Sequence, residues 1–111
     1  MTPNNETHEE KMTRIVSELG TALRRQAAGT WRRVRTAERA ETRGHAWKFR
    51  PAPDADVRFL RVTHEAMDQG DDPVPTLLKQ LSAGKWLSRL DGTETSLVLN
   101  AGGKLGRFKQ K

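Results

Sequence analysis

Residues 46–63, AWKFRPAPDADVRFLRVT, decide the fold class of this chain. Apolar and basic residues alternate over residues 46–50, which is the pattern of a half-buried strand. Residues 51–56 are rich in proline and aspartate, which favour turns, and residues 57–63 carry the β-branched and aromatic side chains typical of a returning strand. The stretch therefore predicts an antiparallel hairpin with a six-residue loop.

The first strand of this hairpin separates two kinds of side chain. Trp47 and Phe49 share one face, from which they can enter a core, whereas Lys48 and Arg50 share the other. Basic residues on the exposed face of a strand attract anionic partners, so both are candidate binding residues.

The segment before the hairpin, residues 9–43, contains no proline and carries apolar residues at helical spacing. It predicts a long amphipathic helix that ends at Gly44. Such a helix is about 50 Å long, whereas a compact domain of this size has a radius of gyration of about 13 Å. Either Gly20 or Gly29 breaks the helix, or its apolar stripe packs against a partner.

The partner in the second case is most simply another copy of the chain, which predicts a homodimer. An isolated helix would leave several large apolar residues of the stripe exposed to water. The candidate interface residues are Ile15, Leu19, Leu23, Trp31 and Val34.

The opposite side of the same predicted helix carries arginine. Several guanidinium groups on one helix face can contact a row of phosphates, and each contact adds salt-dependent affinity. Glu38 and Glu41 fall away from this face, so repulsion between the arginines is largely unrelieved. With the two basic strand residues, the candidate anion-binding set is Arg24, Arg25, Arg32, Arg35, Arg39, Arg43, Lys48 and Arg50.

The rest of the chain predicts two short helices and a second hairpin. Asp72 and the proline after it begin a helix over residues 73–82, and a second short helix follows over residues 85–90. A glycine-rich turn then separates strands near residues 96–101 and 104–109.

These elements predict an α+β fold with a long N-terminal amphipathic helix, an antiparallel hairpin, a short helix pair and a C-terminal antiparallel hairpin. Residues 9–111 are expected to form one domain, in which residues 45–111 are a β-β-α-α-β-β unit. Residues 1–8 are expected to be a flexible acidic N-terminus. The helix at 73–82 should cover one face of the paired strands.

Composition and motifs narrow the class of function. The net charge is +6, and residues 11–50 hold 11 basic and 3 acidic side chains. The chain has no cysteine, which removes thiol chemistry and cysteine-ligated metals, and we find no nucleophile with a base and an orienting group. His64 and Asp68 have helical spacing but lack a third nearby nitrogen ligand. We therefore predict no enzyme activity, no cofactor and no metal site.

The sequence thus predicts a small basic protein that binds DNA or RNA mainly through phosphates. The alternative is an assembly module whose arginines meet an acidic protein partner. A cytoplasmic location is expected because the chain lacks cysteine and begins with polar, acidic residues. No membrane association is expected because no apolar run approaches about 18 residues.

Overall fold

The computed structural model describes residues 7–41, 43–70, 72–92 and 95–107. Residues 1–6 of the predicted acidic N-terminus lie outside these ranges, as do residues 108–109 of the predicted last strand. The α+β class is confirmed, because the described residues form helices on a five-stranded sheet.

The order of elements is α1 (His8–Thr30), β1 (Arg35–Glu41), β2 (Gly44–Arg50), β3 (Arg58–Thr63), α2 (His64–Met67), α3 (Val74–Ala83), α4 (Trp86–Asp91), β4 (Ser96–Leu99) and β5 (Leu105–Arg107). The strands follow one another across the sheet as β1-β2-β3-β4-β5. Neighbours are antiparallel except β3 and β4, which are parallel. A parallel pair needs a long crossover connection, and here α2, α3 and α4 supply it.

The N-terminus of α1 is fixed by a capping box. The side chain of Thr7 accepts a hydrogen bond from the amide of Glu10, and the Glu10 carboxylate accepts one from the amide of Thr7. Two backbone donors that the helix itself cannot satisfy are thereby paired. Thr7 and His8 are therefore part of the helix and its cap, which corrects the prediction of a flexible terminus over residues 1–8.

The helix ends at Thr30, and the prediction of a helix over residues 9–43 is wrong beyond that point. Gly20 lies inside α1, and Gly29 lies one residue before its end. Residues 35–43 include no large apolar residue for a helical stripe, so a helix there would have little to bury. Pairing with β2 instead gives every residue of β1 a partner on the neighbouring strand.

Gly44, predicted to end the long helix, is the first residue of β2. It lies opposite Thr63, and a Cβ added to it would collide with the carbonyl oxygen of Val62. A glycine is needed here because the backbones of β2 and β3 approach closely, not because a helix stops.

The four helices lie on one face of the sheet and form a single apolar core with it. Ring centroids of Trp31 and Phe49 are 6.3 Å apart, and those of Phe49 and Trp86 are 5.4 Å apart. Each buried indole N–H has an acceptor; these are Asp91 for Trp31, Glu38 for Trp47 and Gln26 for Trp86. Large aromatic rings with satisfied polar atoms compensate for the modest number of aliphatic residues.

The apolar stripe of α1 belongs to this core. Ile15, Leu19 and Leu23 are 0% exposed and Trp31 is 7% exposed, while Val34 packs against the same cluster. The assignment of these five residues to an interface between two chains is therefore wrong. The homodimer stays a prediction, but these residues are not available to form its interface.

The remaining elements agree with the sequence. The hairpin of β2 and β3, the helices near residues 73–82 and 85–90, and the hairpin of β4 and β5 are all confirmed. One detail differs, because Pro73 rather than Asp72 occupies the cap of α3 and makes no side-chain cap bond. Strand β1 and the parallel pairing that joins the two hairpins were not predicted.

Candidate functional site

The sheet face that the helices leave uncovered is the main candidate site, and we call it the open face. Successive side chains of a strand point to opposite faces, and residues paired across strands share a face. The register therefore defines its members. They are Arg35, Ala37, Arg39 and Glu41 of β1, Gly44, Ala46, Lys48 and Arg50 of β2, Phe59, Arg61 and Thr63 of β3, Ser96 and Val98 of β4, and Gly106 of β5.

Four of the eight predicted anion-binding residues meet on the open face. Arg35 lies directly opposite Arg50, and Lys48 lies opposite Ala37, between the levels of Arg35 and Arg39. Arg35, Arg39 and Lys48 are exposed, and Arg50 is partly exposed. We call Arg35, Arg39, Lys48 and Arg50 the basic cluster. Like charges at opposite positions destabilise a sheet, so this arrangement costs stability unless an anion neutralises it.

Acidic side chains do little to balance this charge. Glu41 is the one acidic residue among the described members of the open face, and its carboxylate is shared by two arginines. It lies 2.9 Å from Nε of the buried Arg61 and 3.2 Å from a terminal nitrogen of Arg39. Within the described ranges, Arg35 and Lys48 form no ion pair.

An aromatic ring lies beside the basic cluster. Phe59 is paired with Lys48 across β2 and β3 and is partly exposed. The guanidinium carbon of Arg61 lies 5.0 Å from the centre of the Phe59 ring, within the range of a cation–π contact. Neither Phe59 nor Arg61 was predicted as a site residue. Period-two alternation in β3 was the available signal, because it separates them from the buried Leu60.

Two concavities lie along this part of the sheet and share Arg39. The smaller has a volume of about 250 Å³ and is lined by Ala37, Glu38, Arg39, Ala46, Lys48 and Phe59. The larger, of about 580 Å³, lies at the end of the sheet next to the turn between β1 and β2, where Arg39, Arg43 and Arg61 contribute to its lining. Arginine therefore borders both concavities.

The other predicted anion-binding residues do not form one surface with the cluster. Arg24 lies on α1 with a terminal nitrogen 3.6 Å from Glu38 Oε2, and Arg25 is exposed on the same helix. Arg32 is exposed in the turn after α1, and Arg43 is exposed in the turn between β1 and β2. The predicted continuous arginine face is wrong because the helix ends before most of its arginines.

On the helix-facing side, Glu38 ties β1 to its neighbours. Its Oε2 accepts a hydrogen bond of 2.8 Å from Trp47 Nε1 and lies 3.9 Å from His45 Nε2. Burial lowers the pKa of His45 below its usual value near 6.5, against the opposing effect of Glu38 and Glu41. The distance from His45 to Glu38 is too long for a hydrogen bond, so the Glu38 carboxylate does not hold the His45 ring in place. The role of Glu38 here is structural.

No three His, Asp or Glu side chains in the described ranges are placed to hold a metal ion. The described helices also include none that is long and apolar enough to cross a membrane.

No protein-family model, no curated protein and no solved structure matches this chain. The chemistry of the open face is therefore the basis for assigning a function.

Proposed function

We propose that the protein is a non-enzymatic nucleic-acid-binding protein that contacts phosphates through the basic cluster of the open face. The observation that supports this function is the placement of Arg35, Arg39, Lys48 and Arg50 on adjacent strands, on the side that no described helix covers. Arginine suits phosphate because its planar guanidinium can donate two parallel hydrogen bonds to one group.

The composition of the open face favours phosphate over an acidic protein surface. Arginine is enriched in protein interfaces, but so are aromatic residues, whereas lysine is depleted. The open face instead surrounds one aromatic residue, Phe59, with five basic side chains, among which Arg61 is already bonded to Glu41 and Ser96. Phosphate contacts alone do not read sequence, so we expect little preference between base sequences.

The test replaces the two exposed cluster residues that form no ion pair within the described ranges, in the double variant Arg35→Gln, Lys48→Gln. Binding of labelled oligonucleotides is followed by fluorescence anisotropy over a range of salt concentrations. The slope of log affinity against log salt should flatten by about one unit per lost contact, equally for different sequences.

The matched control is the double variant Arg33→Gln, Lys79→Gln, which removes the same charge from exposed positions outside the open face. It should keep the wild-type slope. The proposed function fails if wild-type protein binds no oligonucleotide at low salt, or if both double variants change the slope equally. Binding to polyglutamate but not to oligonucleotides would support the acidic protein partner in its place.

A further inference from the structure

We infer that the polynucleotide bound by the open face is single-stranded and that one of its bases stacks on the ring of Phe59. This inference rests on the proposed function and names the form of nucleic acid that the same surface binds. Its structural basis is a partly exposed aromatic ring held in place within a basic surface.

The distribution of aromatic residues sets Phe59 apart. Trp31, Trp47, Trp86 and Phe49 are all buried in the core. Among the described Trp and Phe residues, Phe59 is therefore the one that reaches the surface, and it does so on the face that no described helix covers. The core does not need this ring, whereas a base can stack on it because every base has an aromatic face.

The ring of Phe59 is held in place by Arg61. Arg61 is 7% exposed, donates 2.9 Å and 2.7 Å hydrogen bonds to Glu41 and Ser96, and places its guanidinium over the ring. With these bonds in place, Arg61 is a positioning residue rather than a phosphate ligand. A ring that is already ordered loses less conformational entropy when a base stacks on it.

The remaining surface of the ring borders the smaller concavity. Arg61 does not line this space, which lies toward the β2 side of Phe59. Two small residues, Ala37 and Ala46, line this space beside the ring, and Lys48, the partner of Phe59 on β2, lines it too. A base can therefore enter next to Phe59 while its phosphates reach the basic cluster.

This geometry favours an unpaired strand over a duplex. In a duplex the faces of the bases are covered by their neighbours, so an aromatic ring on a sheet cannot stack on them. Single-stranded chains expose those faces, and proteins that bind them combine a basic surface with aromatic platforms. DNA and RNA share this chemistry.

The test compares strands that have the same charge but differ in their bases. Wild-type protein is titrated with oligo-dT and oligo-U of about ten nucleotides, with an abasic strand of equal length, and with a duplex. The strands with bases should bind about 5- to 150-fold more tightly than the abasic strand, which is the effect of one stacked base. A difference between oligo-dT and oligo-U would show which sugar is preferred.

The variant Phe59→Leu should bind strands with and without bases equally, with the salt slope unchanged, and Phe59→Tyr should restore the preference. Urea unfolding checks that both variants fold. If Phe59→Leu does not fold, equal binding of base-bearing and abasic strands by wild-type protein would still exclude base stacking.

The two proposals fail in different ways. If wild-type protein binds the abasic strand or the duplex as tightly as oligo-dT and oligo-U, with the expected salt slope, base stacking is excluded and phosphate binding stands. The same conclusion follows if folded Phe59→Leu keeps the wild-type preference. If no strand binds, both proposals are excluded.

Discussion

The two faces of the sheet are made from alternate residues of the same strands, yet they have opposite chemistry. On the helix-facing side, Trp47, Phe49, Leu60 and Leu97 are completely buried, and Glu38 is bonded to the Trp47 indole. On the open face, basic side chains outnumber acidic ones, and Arg35 lies opposite Arg50. Stability therefore comes mainly from the helix-facing side, whereas on the open face Arg35 and Lys48 carry charge that forms no ion pair within the described ranges.

Substitutions of two neighbouring residues of β2 should give the largest difference in stability between the two faces. Phe49→Ala removes a fully buried ring that contacts two tryptophans, and the free energy of unfolding should fall by about 3–5 kcal/mol. Lys48→Ala should change it by about 0.5 kcal/mol or less, because Lys48 is exposed, while weakening oligonucleotide binding. Urea unfolding and oligonucleotide titration of both variants measure the difference. Equal losses of stability would contradict the separation of the faces.

Substitutions of two glycines in α1 should give a smaller difference in stability, and this comparison involves only the helix-facing side of the sheet. A Cβ at Gly20 would lie 2.9 Å from Trp47 Nε1 and 3.0 Å from Glu38 Oε2, whereas one at Gly29 meets nothing within 4 Å. Gly20→Ala should therefore destabilise the protein by about 1–3 kcal/mol, because the buried indole must move. Gly29→Ala should be neutral or stabilise it by up to about 1 kcal/mol, through better helix propensity.

Thermal or urea unfolding of the two alanine variants tests this comparison. Gly29→Ala is the control for the intrinsic gain of replacing glycine in a helix. If Gly20→Ala were also stabilising, the close approach of α1 to the bond between Trp47 and Glu38 would not restrict this position.

The sequence predicts elements well where side-chain periodicity and local turn signals agree. The hairpin of β2 and β3 has both alternating residues and a proline-rich turn, and α3 has a clear apolar side that buries Leu77 and Leu81. The first part of α1 is equally clear, because its stripe enters the core. In each case, the pattern within the segment reflects what the segment buries.

Strand β1 could not be predicted in this way. Its sequence, RTAERAE, is rich in residues that favour helices, and none of its residues is fully buried. It becomes a strand because β2 offers backbone partners and because Glu38 and Glu41 bond to Trp47 and Arg61. Strand β2 follows after a short turn, but Trp47 and Arg61 lie 9 and 20 residues from these glutamates, so the helical pattern within the segment does not show them. Tertiary context here overrides local propensity.

The candidate site shows the same limit. The sequence pattern predicted that the arginines share one face of a helix. Four of the predicted basic residues do share a surface, but that surface belongs to the sheet. That surface exists only after β1 pairs with β2, and its aromatic residue comes from β3. The charge of the segment was visible in the sequence, whereas the strand pairing that brings the basic cluster to Phe59 was not.

The smallest predicted change in stability concerns a residue of the open face. Arg35→Gln removes one of two like charges at opposite positions, while Arg50 keeps its hydrogen bond to the carbonyl of Ala55. The free energy of unfolding should therefore rise by about 0.2–1 kcal/mol at low salt. Oligonucleotide binding should weaken in the same variant, with the salt slope flatter by about one unit.

Salt separates this effect from a change in packing. At about 1 M salt the screening length is about 3 Å, so repulsion between Arg35 and Arg50 is largely removed and the gain should disappear. Arg33→Gln, in the turn after α1, is the control and should leave stability unchanged at both salt concentrations. A loss of stability in Arg35→Gln would show that Arg35 supports the fold, whereas a gain that persists at high salt would show that the gain does not come from repulsion between Arg35 and Arg50. In the first case the charge of Arg35 would have a structural role, and the like-charge repulsion assigned to this pair would be wrong.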